Sequence, residues 1–396
     1  MNLERFYQAE YVLKKVARKT GVVKAQSMWP EEEIYLKTEN LQRTGSFKLR
    51  GAYFKISGLT EDEKARGIVA CSAGNHAQGV ALAAKESGVK ATIFLPSIAP
   101  ISKVEATRSY GADIKLIDGV YDDAYEAACK FQAETNSVFI HPFDDEDVIC
   151  GQGTIGLEIL EQIPEIDTIV VPIGGGGLIA GVAYVAKTLN PNCKVYGVQA
   201  QGAGSMYASV KEKSKERLES VSTFADGIAV KEPGELTFEV CSKYVDEVVT
   251  VTDDEIATAI LALMEKEKLV AEGAGAVAVA ALMFDKIQTE GKTVCAVVSG
   301  GNIDVNILSR VVNRGLQMSG RVTELSVELL DKPGQLQAVA TMVAEEGGNV
   351  TKVNHKVGGE NAMVTECVLH LTLETRNNEH LEQIKRRFIN DGYKLV

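Results

Sequence analysis

The sequence predicts an α/β protein with a mostly parallel sheet, followed by a smaller unit of βαββαβ order. Three observations predict it. Short β-branched runs alternate with helical stretches, glycine gathers where strands hand over to helices, and the texture changes after about residue 320. In the first part the runs are ATIFL (91–95), TIVVPI (168–173), KVYGVQ (194–199), EVVTV (247–251) and TVCAVV (293–298). Runs of this length alternating with helices indicate βαβ units. The helical stretches between them are rich in Ala, Lys and Glu, as in AQGVALAAKES (77–87) and LIAGVAYVAKTL (178–189). An open sheet built this way binds ligands outside the carboxyl ends of its strands.

The second part reads as strand (VTELSVELL, 322–330), the loop DKPG (331–334) and helix (QLQAVATMVAEEG, 335–347). A strand (NVTKVNHKV, 349–357), a glycine turn and a strand (TECVLHLTLE, 365–374) follow. A helix (EHLEQIKRRFIN, 379–390) and a last strand (YKLV, 393–396) complete a ferredoxin-like unit. Cys367, Leu369, Leu371 and Leu373 alternate, so one face of that sheet is buried. The boundary is expected near Ser319-Gly320, with domains at 1–318 and 321–396.

Composition removes whole classes of function. Hydrophobic residues make up 45% and charged ones 24%, which is ordinary for a globular chain. Forty-two basic against fifty-four acidic residues give a net charge of −12, so neither a nucleic-acid nor an anionic-membrane surface is expected. No apolar run spans a bilayer, and the charged start MNLERFYQAEYVLKKVARKT lacks a secretory core, so the expected location is the cytoplasm. The seven cysteines form no CxxC pair and the five histidines no HExxH, so no metal site is expected.

Four segments are candidates for chemistry. In TGSFKLRGA (44–52), Lys48 sits two residues after Ser46, where a helix is expected to begin. It reads either as a solvated surface lysine lying on Phe47 or as an amine that forms a Schiff base when desolvated. CSAGNHAQG (71–79) is a strand-to-helix turn. Its Asn75 either caps the helix or, with His76 and the free amides, receives an anion. PIGGGGLIAG (172–181) places four glycines between strand and helix. A plain turn needs one or two, whereas four suit backbone amides wrapping an anion beside a helix N-terminus. The loop lacks the lysine and hydroxyl of a nucleotide-triphosphate loop, and it lacks the dinucleotide fingerprint. In VVSGGN (297–302), Ser299 offers a neutral hydroxyl to a ligand ring or caps the next helix.

Taken together and in this order, TGSFKLRGA, SAGNHAQG, GGGGL and SGGN resemble the fold-type II pyridoxal-phosphate enzymes, in particular the threonine dehydratases. HPFDDEDVICGQGTIGLEI (141–159) and FADGIAV (224–230) add to the likeness, which runs from about residue 5 to 318. The tail resembles an ACT domain. The resemblance implies a tryptophan synthase β-like region of two open twisted α/β subdomains, the smaller (about 50–148) inserted in the larger. It implies pyridoxal 5′-phosphate as cofactor and a homodimer or homotetramer. By the same resemblance Lys48 holds the cofactor and removes the substrate α-proton. Phe47 lies beside the ring, Asn75 bonds the phenolic oxygen, and Ser299 faces the pyridine nitrogen. Gly174, Gly175, Gly176, Gly177 and Leu178 hold the phosphate, and the turn Ser72, Ala73, Gly74, Asn75 and His76 takes the substrate carboxylate, with Asp145 near the substrate. A hydroxyl at the ring nitrogen need not protonate it, which weakens the electron sink and favours early loss of the β-hydroxyl.

Two departures separate the chain from related serine racemases. Ala73 stands where they carry a second serine, and QAQGAGSMY (199–207) has none of their metal-binding carboxylates. The implied reaction is therefore deamination of L-threonine to 2-oxobutyrate, and of L-serine to pyruvate. β-Replacement synthases share the fold and the lysine, whereas a dehydrogenase would need the missing fingerprint. In the tail, DKPG is expected to meet the carboxylate of an amino-acid effector at a helix start, and family precedent adds a nucleotide effector.

Overall fold

The computed structural model describes residues 1–357 and 365–396. The chain divides into two compact units, Met1–Val305 and Asn306–Val396. The first unit contains ten strands: β1 (Val22–Lys24), β2 (Glu33–Lys37), β3 (Ile68–Cys71), β4 (Ala91–Pro96), β5 (Asp113–Ile117), β6 (Val138–Phe139), β7 (Thr168–Pro172), β8 (Lys194–Ala200), β9 (Glu247–Val251) and β10 (Thr293–Val297). They form two sheets, in the orders β1-β2-β10-β7-β8-β9 and β5-β4-β3-β6. Every pairing is parallel except β1 with β2. The smaller sheet, from Ile68 to Phe139, falls inside the interval expected for the inserted subdomain.

The central strands are legible because both faces are covered. All residues of β4 and of β7 are buried, and such strands read as continuous apolar runs. β1, β2, β5 and β6 escape that reading. β5 is an edge strand with an exposed, lysine-bearing pattern, and β1 and β6 have three and two residues, too short for any periodicity.

The helix carrying Lys48 spans Lys48–Ser57, two residues later than its sequence suggests. Its other face is anchored by a buried ionic cluster. Arg50 donates from Nε and Nη2 to Glu39 at 2.8 and 2.7 Å, and from Nη1 and Nη2 to Glu158 at 2.6 and 3.0 Å. Lys37 Nζ reaches Glu158 at 2.6 Å and the Thr20 carbonyl at 2.7 Å. Burial pushes the Glu39 carboxyl upward, but the Arg50 guanidinium outweighs it and holds the group below its ordinary value. The cluster joins the end of β2, the Lys48 helix and the helix Glu146–Gln162.

The second unit adds β11 (Val322–Leu330), β12 (Asn349–Val357), β13 (Glu366–Glu374) and β14 (Lys394–Leu395) in one antiparallel sheet of order β12-β13-β11-β14. Helices Gln335–Glu345 and Asn378–Asn390 fill the two α positions of the βαββαβ order. The alternating residues Cys367, Leu369, Leu371 and Leu373 are all buried. The expected glycine turn between β12 and β13 lies outside the described residues. The helix Val305–Met318 groups with this unit from Asn306 on, not with the first part as a boundary at 318 implies. Its C-terminal end explains why: Arg321 N donates to Leu316 O at 2.8 Å and Asn378 Nδ2 to Met318 O at 3.4 Å. Among the described residues, no helix is long and apolar enough to cross a membrane.

Candidate active site

A cavity of about 1040 Å³ lies in the first unit. Its wall is made by the carboxyl ends of β3, β7 and β10, where an open parallel sheet leaves helix N-termini facing outward. Of the residues picked from the sequence, Phe47, Lys48, Ser72, Ala73, Gly74, Asn75, His76, Gly174, Gly175, Gly176, Gly177, Leu178 and Ser299 all line it. Asp145 does not. Its carboxylate caps the helix Glu146–Gln162, accepting from Asp147 N at 2.9 Å and Val148 N at 3.1 Å, and pairs with Lys55 Nζ at 2.8 Å. An aspartate serving two amides and a lysine is not free to meet a substrate, so its expected place beside the substrate is corrected.

Lys48 is not a solvated surface lysine. Burial lowers its amine to about 8, against the opposing pull of Glu272. The amine donates to Pro142 O at 2.8 Å and stands 5.2 Å from the centre of the Phe47 ring. Phe47 N donates in turn to Ser299 O at 3.2 Å, which ties the lysine's helix to the end of β10.

The glycine loop has the free donors an anion requires. The amides of Gly174, Gly175, Gly176, Gly177 and Leu178 make no hydrogen bond among the described residues, and they lead into the helix Gly177–Leu189. Gly176 has φ of +100°, a backbone state that a side chain would strain. At Gly175 a Cβ would meet the ring carbons of Phe143 at 2.4 Å, while Thr237 Oγ1 donates to Gly175 O at 2.6 Å. Gly175→Ala should therefore cost about 1–3 kcal/mol of strain, which is roughly 5- to 150-fold in affinity for an anion held by the loop. The check is the dissociation constant of added pyridoxal phosphate, with partial recovery expected in Gly175→Ala/Phe143→Leu.

The turn before the helix Asn75–Ser87 presents Gly74 at the cap, where a Cβ would project into open space. His76 is buried, and its Nε2 lies 2.8 Å from Ile140 O. Burial and then the nearby Lys48 push this imidazole down to about 3, so it is neutral at physiological pH. Asn75 is held at both ends of its amide: Nδ2 donates to Glu272 Oε1 at 2.5 Å, and Oδ1 accepts from Asn302 Nδ2 at 2.8 Å. One N–H of Asn75 remains for a ligand. Ser299 Oγ donates to Ala274 O at 3.3 Å.

The roles of three groups at the cavity are not legible in the sequence. Glu272, buried at the cap of the helix Gly273–Met283, is pushed up to about 7 by burial and by the carboxylate of Asp226. Its only local signal is a single carboxylate inside the apolar run LVAEGAGAVAVAALM (269–283). The segment His141–Asp144 is the second. Pro142 O accepts from Lys48, Phe143 packs on the glycine loop, and Asp144 caps the helix Glu235–Tyr244 through three amides at 3.0–3.2 Å. The third is the ion pair of Lys103 with Asp226, which joins a helix beside the small sheet to the larger sheet's loops across the cavity rim.

A desolvated lysine amine, five unpaired amides at a helix start and an uncharged hydroxyl at a strand end fit a cofactor carrying an aldehyde, a phosphate and a pyridine nitrogen. The class defined by this fold and site is the pyridoxal-phosphate dependent enzyme, and the chain belongs to that family, which matches residues 13–300. Residues 319–390 match the ACT domain. Over its whole length the chain is 50% identical to an L-threonine ammonia-lyase of Thermotoga maritima, covering 99% of that protein. Among solved structures it is similar to the processed form of threonine deaminase isoform 2 of Solanum lycopersicum (38% identity, TM-score 0.75, 79% of this chain and 89% of that one). It is also similar to maize serine racemase (36% identity, TM-score 0.74, 80% of this chain and 98% of that one). Pyridoxal 5′-phosphate is the cofactor.

In the second unit a cavity of about 380 Å³ is lined by Asp331, Lys332, Pro333, Gly334 and Gln335, the DKPG loop and the first residue of its helix.

Proposed function

We propose that the enzyme deaminates L-threonine to 2-oxobutyrate and ammonia, and L-serine to pyruvate and ammonia, with an amino acid bound by the ACT domain adjusting affinity or rate. The reaction loses one water by elimination and regains one on hydrolysis of the enamine, so atoms balance. The observation that carries this reading is the half-buried Lys48, its amine lowered to about 8 by desolvation, sharing one cavity with the glycine-loop amides that are unpaired among the described residues. The substrate follows from the relatives, whose names state threonine as what they act on. Cytoplasmic location and a homodimer or homotetramer belong to the same proposal.

Bound pyridoxal phosphate supplies the electron sink that acidifies the substrate α-carbon. The rest is done by the protein. Gly174 to Leu178 hold the phosphate on N–H groups at the positive end of a helix, which needs no lysine or arginine. Asn75, its amide fixed by Glu272 and Asn302, would give its remaining N–H to the phenolic oxygen. Ser299, whose Oγ donates to Ala274 O, would turn a hydroxyl rather than a carboxyl to the ring nitrogen, which need not protonate it. The turn Ser72–His76 receives the substrate carboxylate on backbone amides, with His76 present as a neutral ring. Lys48 carries the cofactor and takes the α-proton. An amine near 8 is partly neutral at physiological pH, which both roles require.

Only a neutral amine attacks an aldehyde. Uptake of pyridoxal phosphate by cofactor-stripped protein should therefore quicken as pH rises through about 8 and level off above it, followed by near-visible absorbance.

Similarity to a serine racemase raises racemisation as a second reading. Ala73 offers no hydroxyl to return a proton to the opposite face. Assay of threonine and serine tests both: 2-oxobutyrate and pyruvate should form, and D-serine should not. Failure to release either oxo acid sinks the proposal, and D-serine formation sinks the argument from Ala73.

A further inference from the structure

The three histidine, cysteine and aspartate side chains His355, Cys367 and Asp331 meet on one face of the second unit's sheet, with ligand atoms all within 4.8 Å of one another. No motif announces them. They converge because β13 lies between β12 and β11, so a residue on β12, one on β13 and the residue directly after β11 come to the same face. Cys367 on β13 pairs with Leu329 of β11 and Val357 of β12. His355 is one same-face position back along β12, opposite Leu369. Asp331 follows β11 and continues its ladder, with Asp331 N donating to Thr365 O at 2.8 Å. The backbone thus fixes all three Cα positions before any ligand arrives.

We propose that Asp331, His355 and Cys367 form a binding site for a divalent cation of the zinc class, with a fourth position open to the adjoining cavity. Thiolate, imidazole and carboxylate are the donor set such an ion prefers, and three protein ligands plus one open position is a common arrangement for it. His355 Nε2 stands 3.8 Å from Asp331 Oδ1. That is too long for a hydrogen bond and a few tenths of an ångström beyond the roughly 3.3–3.5 Å between a nitrogen and an oxygen ligand on a tetrahedral ion, a gap that small side-chain rotations close. The Cys367 side chain is buried while His355 and Asp331 are exposed, so the sulfur forms the floor and the ion enters from solvent. All three residues line the cavity of about 380 Å³ beside the DKPG loop, which gives the fourth position room for water or a small donor.

The test uses the full-length holoenzyme with cobalt(II) and zinc(II) added alone. Cobalt should produce thiolate charge-transfer and intense d–d bands, the latter to the red of the cofactor's absorption, at one ion per chain, and zinc should remove them. His355→Ala and Cys367→Ser should each weaken zinc binding by more than about tenfold, since even an outer-shell change commonly costs that much. His355 is at the surface, so its variant keeps the test valid if Cys367→Ser fails to fold. Absence of the cobalt bands in the unaltered protein, or undiminished binding in His355→Ala, would overturn the proposal.

Discussion

Lys48→Ala is expected to lose threonine deamination almost completely and to purify without the near-visible absorbance of the unaltered protein. Removing the amine eliminates both the attachment point and the base. The base alone commonly contributes about 10²–10⁴-fold in rate. The fold should survive, because among the described residues the Lys48 amine makes a single hydrogen bond, to Pro142 O, and no ion pair. The informative comparison is therefore between turnover, followed as 2-oxobutyrate, and thermal unfolding of the same sample. A variant that remains folded and keeps more than a few per cent of the activity would refute the role given to this lysine.

Arg50→Ala should act in the opposite way, on stability first. Arg50 is the shared partner of Glu39 and Glu158, and all three are buried. Deleting it leaves two carboxylates facing each other with only Lys37 and Thr20 to compensate. Breaking a buried pair by removing one member typically costs about 3–5 kcal/mol. Denaturant unfolding would show this as a lower midpoint. Residual activity per folded molecule should fall far less than in Lys48→Ala, because the guanidinium touches nothing in the cavity. If unfolding is unchanged, the cluster is not what anchors the Lys48 helix.

These two residues sit two positions apart, and they illustrate what a sequence discloses. Lys48, the four glycines and Ser299 were readable because each lies at a strand-to-helix junction whose pattern is local. Arg50 gave no hint that it is buried, since its partners at Glu39 and Glu158 come from separate elements. Glu272 was hidden for the same reason: its neighbour Asn75 lies 197 residues away in sequence. Asp145 shows the converse error. The resemblance implies that it lies near the substrate, yet the carboxylate caps the helix that follows. Local pattern discloses β4, β7, β8, β9 and β10 and the strands and helices of the tail from β11 on, but not the helix Val305–Met318 that groups with them. β5 is not legible because its pairing with β4, not its own largely exposed composition, makes it a strand.

The segment His141–Asp144 couples parts that otherwise have no covalent reason to stay in register. Pro142, Phe143 and Asp144 touch in turn the lysine amine, the glycine loop and the start of Glu235–Tyr244, and His141 Nδ1 accepts from the amides of Phe143 and Asp144. Transplanting this active centre into another scaffold by copying the lysine and the glycines alone would leave both unbraced. A successful graft would have to import that short connecting tetrapeptide, together with the helix whose first amides it holds, as a single inseparable module.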